Sequence, residues 1–133
     1  RTLIPETMDS LIQHLQAHKS NYYMIGGAND LIRIAYDQIQ YLCKEGKYTL
    51  FHTDKTEVFR ERRALSKVIE DMQQVDDAFI MTDKSYGVNI RHVLRLKEHM
   101  LTMRNGDSVP VSIPRYQQVK KTISDYWGRR AWK

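Results

Sequence analysis

Three short segments of this chain set a basic residue beside a turn, a pattern that suits an extended anionic partner. They are Glu45-Gly46-Lys47-Tyr48, Asp83-Lys84-Ser85-Tyr86-Gly87-Val88-Asn89, and Val109-Pro110-Val111-Ser112 leading into Ile113-Pro114-Arg115. Lys47, Lys84 and Arg115 each sit next to a turn or strand end, where a side chain can reach outward from a rigid sheet. An arginine can bond O6 and N7 of guanine in a major groove, and a lysine can meet the same acceptors. Ser85 and Ser112 can bond phosphate oxygens and so set register. The plainer reading, three solvated loops with no common task, stays open on residue types alone.

Other chemistries find less support. There is no HExxH motif and no GxxxxGK[ST] loop. Gly26-Gly27 reads as a turn, not a phosphate cradle. His14 and His18 stand four apart on an expected helix, but no third metal ligand matches them. Cys43 alternates with apolar neighbours and reads as a buried structural thiol, not a nucleophile. Asp76-Asp77 reads as the end of a helix. Arg60, Arg62 and Arg63 lie beside Glu57 and Glu61, which favours local ion pairing on a solvated face. No catalytic group, metal or cofactor is expected.

Composition narrows the class. The 133 residues suit one domain with a short appendage; 41% are apolar and 28% charged, ordinary values for a globular protein. A single cysteine cannot build a disulfide framework, so a reducing, cytoplasmic setting is the default. No apolar run approaches the roughly 18 residues needed to span a bilayer, and no signal-peptide layout opens the chain. The chain starts at Arg1, as expected of a piece of a longer protein. The net charge of +5 is unevenly spread: residues 1–78 carry −2 and residues 79–133 carry +7. A basic half of this kind suits nucleic acid, although it also serves to solvate a surface.

The elements that must hold these loops are mostly strands. Tyr22–Ile25 and Leu31–Ile34 flank the turn Gly26-Gly27-Ala28-Asn29-Asp30. Ile39 to Lys44 alternates, Glu45-Gly46 turns, and Lys47–Thr53 returns, followed by Thr56–Arg60. Leu65, Val68, Ile69 and Met72 then stand at i, i+3, i+4 and i+7, the spacing of an amphipathic helix. Strands resume at Phe79–Thr82, Gly87–Asn89, Val93–Leu96 and Met100–Arg104. Asn105-Gly106 predicts a type I′ hairpin turn, and Val109 and Val111 begin a further strand. Pro114 opens a last helix with Tyr116, Val119, Ile123 and Tyr126 on one face. Residues 6–20 predict a first helix, with Met8, Leu11, Ile12 and Leu15 in phase. The expectation is a mostly β protein of about nine or ten short strands in antiparallel sheets, with a short central helix and a helix at each terminus.

From about Tyr22 to Val119 the sequence resembles the LytTR DNA-binding domain of bacterial response regulators. The resemblance rests on four elements in order: Ile39-Gln40-Tyr41-Leu42-Cys43-Lys44-Glu45-Gly46-Lys47-Tyr48; the helix from Leu65 to Met72; Phe79 through Lys84-Ser85-Tyr86-Gly87-Val88-Asn89; and Asn105-Gly106 with Val109-Pro110-Val111-Ser112. It implies an elongated stack of antiparallel sheets whose loops enter successive major grooves. Carried over by position, the base-reading loops fall at Lys47, at Lys84 and just after Ser112, where Arg115 is either the reader, offset by one, or a residue that faces phosphate. Ser85, Ser112, Tyr48, Tyr116 and Lys44 would hold the DNA backbone. Two departures stand out: Asp83 replaces a customary His, and Ile113-Pro114-Arg115 replaces an Arg-rich turn.

The implied function is sequence-specific binding of double-stranded DNA in transcription regulation within a bacterial two-component system. Direct-repeat sites, a homodimer, and an upstream receiver or sensor domain accompany it. In this layout residues 1–20 form a linker or dimerisation helix, 21–120 the DNA-binding domain, and 121–133 a helical tail. The alternative is a protein-interaction or dimerisation module that does not touch DNA, favoured by the first helix and by the tail Tyr126-Trp127-Gly128-Arg129-Arg130-Ala131-Trp132. A third reading, single-stranded nucleic acid on stacked tyrosines, would use Tyr22, Tyr23, Tyr36, Tyr41 and Tyr48.

Overall fold

The computed structural model of the protein describes residues 21–54 and 56–131. The expected helix over 6–20, with its two histidines, lies outside them. Two compact units divide after Tyr36.

The described part of the first unit is one hairpin, β1 (Tyr22–Gly26) with β2 (Leu31–Ala35). Gly26 pairs with Leu31, and the amide of Gly27 donates to Asp30 O at 2.9 Å across the loop. Tyr23, Ile25 and Ile34 are buried, whereas Met24 and Leu31 are exposed. Successive side chains of a strand point to opposite faces, and only one face of this hairpin is covered.

The second unit is built on a five-stranded antiparallel sheet in the order β5-β4-β3-β7-β6. Its strands are β3 (Ile39–Glu45), β4 (Tyr48–Thr53), β5 (Val58–Glu61), β6 (Phe79–Asp83) and β7 (Tyr86–Asn89). β3 is central. Ile39, Gln40, Tyr41 and Leu42 are all buried in succession, which an antiparallel strand shows only when both faces of its sheet are covered.

One face receives α1 (Leu65–Gln73), which buries Leu65, Val68, Ile69 and Met72. It comes so close that a Cβ on Gly87 would meet Ile69 Cδ1 at 2.7 Å and Ile80 O at 3.3 Å. A glycine in β7 therefore lets the helix lie close on the strand without displacing Ile69. The other face carries Tyr41 and Val88, which join a core cluster with Val93, Leu101, Met103, Val109, Val119, Ile123 and Tyr126. That cluster unites the five-stranded sheet with β8 (Val93–Lys97), β9 (Met100–Met103), β10 (Ser108–Pro110) and α2 (Tyr116–Ala131). β8, β9 and β10 form the third sheet, in the order β10-β9-β8.

The mostly β expectation is met, with three antiparallel sheets, a short central helix and a C-terminal one. Two local readings differ. Lys97 pairs with Met100, so Glu98-His99 is a two-residue hairpin loop, and both its residues have positive φ, 51° and 65°. The type I′ geometry thus falls on Glu98-His99, whose residue types gave no signal for it. Asn105-Gly106 turns differently. Only Gly106 has positive φ, 94°, and the Asn105 side chain accepts the Asp107 amide at 2.9 Å, an Asx turn that holds the loop without a left-handed Asn. Pro114 lies inside a 3-10 turn over Ile113–Arg115, and α2 starts only at Tyr116.

Candidate nucleic-acid interface

Lys47 and Lys84 occupy equivalent places on two hairpins. Glu45 pairs with Tyr48, so Gly46-Lys47 is the two-residue loop of the β3–β4 hairpin, and Gly46 takes φ 61°. Asp83 pairs with Tyr86, so Lys84-Ser85 is the loop of β6–β7. The two loops leave the same end of the sheet, because β7 lies beside β3 with Cys43 opposite Tyr86. The Lys44 amide donates to Ser85 O at 2.9 Å, which ties one loop to the other.

The segment after β10 reaches the same end. The Ser112 amide donates to Thr82 O at 2.9 Å, next to the β6–β7 loop. The Arg115 amide donates to Ser112 O at 3.1 Å, which folds the 3-10 turn that carries Arg115. The β8–β9 loop joins them, since Val111 donates to His99 O at 2.8 Å. Lys47, Lys84 and Arg115, the three expected base readers, therefore stem from one end of the second unit.

Lys44, Lys47, Tyr48 and Lys84 share an open groove of about 430 Å³ with Gly46, Arg62, Arg63, Ala64, Leu65 and Ser66. Five of these residues are cationic and none is acidic. Lys44, Lys47, Arg62 and Lys84 are exposed, and none has a hydrogen bond or ion pair through its side chain among the described residues. Arg63 differs, since its guanidinium pairs with Asp71 at 2.5 Å. The start of α1 also opens into this groove. Its N-cap, Ala64, offers no side-chain cap, and no acidic residue stands in the first turn. The first amides of the helix and its positive dipole end therefore add to the basic field.

The remaining expected contacts have mixed surroundings. Arg60 lies over the Tyr48 ring, 4.5 Å from its centroid, so one face of that ring is already occupied. Tyr116 is half-buried, with its ring 4.2 Å from that of His99. Ser85 is half-buried, and its amide is held by Asp83 Oδ2 at 3.0 Å. The carboxylate of Asp83 is thereby spent on its own turn. The Ser112 hydroxyl is buried with no hydrogen-bond partner among the described residues, whereas its amide anchors the loop.

The arginine cluster, for which the sequence favours ion pairing with Glu57 and Glu61, divides three ways. Arg60 covers an aromatic ring, Arg63 pairs with Asp71, and Arg62 is exposed in the groove without a side-chain partner among the described residues. The lack of any carboxylate at positions 64–67 was the available signal. The tyrosines proposed for single strands are mostly occupied elsewhere, since Tyr23, Tyr36 and Tyr41 are buried.

Beneath the loops, β3 carries a polar cluster. Tyr41 donates to Asp107 Oδ2 at 3.0 Å and stacks on His52 with centroids 4.3 Å apart. Cys43 Sγ lies 3.5 Å from His52 Nε2. Burial, helped by the charge of Glu45, pushes the Cys43 thiol up, so it is a poor nucleophile at neutral pH. Burial holds the His52 imidazole below its ordinary value, with the Asp107 charge opposing.

The family model described as the LytTr DNA-binding domain matches residues 29–124. A solved structure described as the LytTr DNA-binding domain of a methyl-accepting/DNA response regulator from Bacillus cereus superposes with a TM-score of 0.65. It is 21% identical, and the match covers 78% of this chain and 97% of that one. No protein of curated function matches the sequence significantly.

Proposed function

The chain belongs to the LytTr DNA-binding domain family, and from that premise we propose that it reads duplex DNA with side chains from one end of its second unit. DNA binding in transcription regulation is the function of the family. The finer reading is that Lys47 and Lys84 reach base edges in one major groove, while Arg115 reads or clamps beside them. Strands lie about 4.8 Å apart, so the two hairpin tips stand roughly 10 Å from each other. That spacing matches a major groove about 12 Å wide. Lys44, Ser85, Tyr48, Tyr116 and Arg62 then serve the phosphate backbone, and Ser112 holds the Arg115 turn through its carbonyl while its amide ties the segment to Thr82.

The single observation that carries this reading is the groove in which Lys44, Lys47, Arg62 and Lys84 converge with no acidic residue among its lining. Four unpaired cations side by side repel one another. Such an arrangement is stabilised by a polyanion that releases counterions on binding. In the cell the reading implies a cytoplasmic regulator, two copies on direct-repeat sites, and a receiver or sensor domain that supplies the signal. Among the described residues no helix is long and apolar enough to cross a membrane.

Selection of bound sites from a random duplex pool tests the reading. Recovery of a consensus, followed by a gel shift at least tenfold tighter on it than on scrambled duplex, supports base readout. Equal affinity for both would reduce the protein to a non-specific binder, and no shift at low salt would favour the interaction-module alternative.

A further inference from the structure

A second concave site lies at the opposite end of the sheet from the lysine loops. Arg91, Val93, Arg104, Tyr126 and Trp127 line an open cleft of about 500 Å³. Its position follows from the strand directions. Lys84-Ser85 precede the Tyr86 end of β7, whereas Arg91 follows its Asn89 end. Arg104 follows β9, its amide bound to His92 O at 2.9 Å, and the next amide, of Asn105, donates to Gln40 Oε1 at 3.3 Å. Gln40 stands at the start of β3 and Lys47 just beyond its end. At about 3.3 Å per residue the cleft is roughly 20 Å from the lysine loops.

The cleft has the composition of a protein-binding anchor. Trp127 is 41% exposed on α2, beside Tyr126, which is buried and forms the floor. Arg91 is fixed by Asp76 at 2.9 Å and by Asn89 at 3.4 Å, so its charge is already met. Arg104 is exposed, and its guanidinium has no hydrogen bond or ion pair among the described residues. Asp77 pairs with Arg129 at 3.4 Å, and Asp107, in the same turn as Arg104, accepts from the Tyr41 hydroxyl at 3.0 Å. Arg104 is thus a guanidinium of the cleft without a carboxylate partner among the described residues, on the same lining as Trp127.

We propose that this cleft docks an acidic segment of a partner protein, with a carboxylate on Arg104 and an adjacent apolar side chain against Trp127. Charge complementarity selects the acidic segment. A duplex seated on the lysine loops leaves the cleft uncovered, so the partner can be bound together with DNA. The location relative to DNA rests on the proposed reading; the cleft itself does not.

The probe is a fluorescein-labelled peptide of about a dozen residues, rich in Asp and Glu with two Phe, titrated by anisotropy with the whole chain at physiological salt. Saturable binding is expected, weakened about tenfold or more by Arg104→Glu and by Trp127→Ala, unchanged by Lys84→Ala, and unaffected by saturating duplex. Both substituted side chains are exposed, and circular dichroism checks that the variants fold. The proposal is overturned by an absence of peptide binding, by equal binding to the Arg104→Glu variant, or by displacement of the peptide with duplex, which would put it in the basic groove. Self-association that depends on Trp127 and Arg104 in sedimentation velocity would also overturn it, since a second copy would then be the occupant. Loss of duplex affinity in Lys84→Ala with peptide binding intact, or the reverse, separates failure of the DNA reading from failure of this one.

Discussion

At the residue scale, the functional reading depends on cations that the fold leaves without carboxylate partners. Lys84 is at a two-residue hairpin tip and Arg62 is beside an uncapped helix start. They should behave differently when removed. A base contact contributes about 1–3 kcal/mol of discrimination. Lys84→Ala should therefore weaken binding to the selected site by roughly 5- to 150-fold and to scrambled duplex much less; equal loss on both would make Lys84 a phosphate contact. Arg62→Ala should weaken both duplexes alike and reduce the slope of log K against log salt by about one, as read by fluorescence titration. His52 makes a separate prediction. Its folded-state value lies below the ordinary one of about 6.5 because burial disfavours the cation. The unfolded chain then takes up the proton first as pH falls. The His52 contribution is complete above about pH 6.5 and is lost below it. Thermal melts from pH 7 to pH 5 should show a falling Tm, and His52→Gln should flatten part of that fall.

At the element scale, hairpin loops and one glycine decide how the strands meet. Glu98 and His99 hold left-handed backbone in the β8–β9 loop, a conformation that Asn tolerates better than Glu. Glu98→Asn should raise stability by about 0.5 kcal/mol, seen as a rise in denaturant midpoint with unchanged slope. Gly87 is the reverse case, because α1 is packed onto it. Gly87→Ala should cost about 1–3 kcal/mol by overpacking. The loss should be smaller when Ile69→Val is added, because Ile69 Cδ1 is the first atom a Cβ would meet. Both helices were visible in the sequence, since Leu65, Val68, Ile69 and Met72, and later Val119, Ile123 and Tyr126, repeat at helical spacing and are the residues buried. The Glu98-His99 loop was not visible. Its geometry is imposed by the register of Lys97 with Met100, and neither residue type advertises it.

At the scale of the whole molecule, the second unit has two chemically distinct ends. Loops bearing Lys47, Lys84 and Arg115 gather at one end, and the Arg104–Trp127 cleft lies at the other. If about six phosphates are neutralised at the first end, log K should fall with a slope near −5 against log salt. Arg104→Glu should leave that slope unchanged. The order of strands, the two helices, the basic second half and the family resemblance were all properties of the linear chain, because periodicity and turn residues act over a few neighbours at a time. Which cations stand together was not. Lys47 and Lys84 are adjacent only because β7 inserts beside β3, and Arg62 joins them only because α1 begins there. Arg60 and Arg63, neighbours of Arg62 in the same run, turn instead to an aromatic ring and to Asp71. Pairing between strands distant in sequence is set by the closure of a shared core, and until that core forms a lysine has no fixed neighbour to converge with.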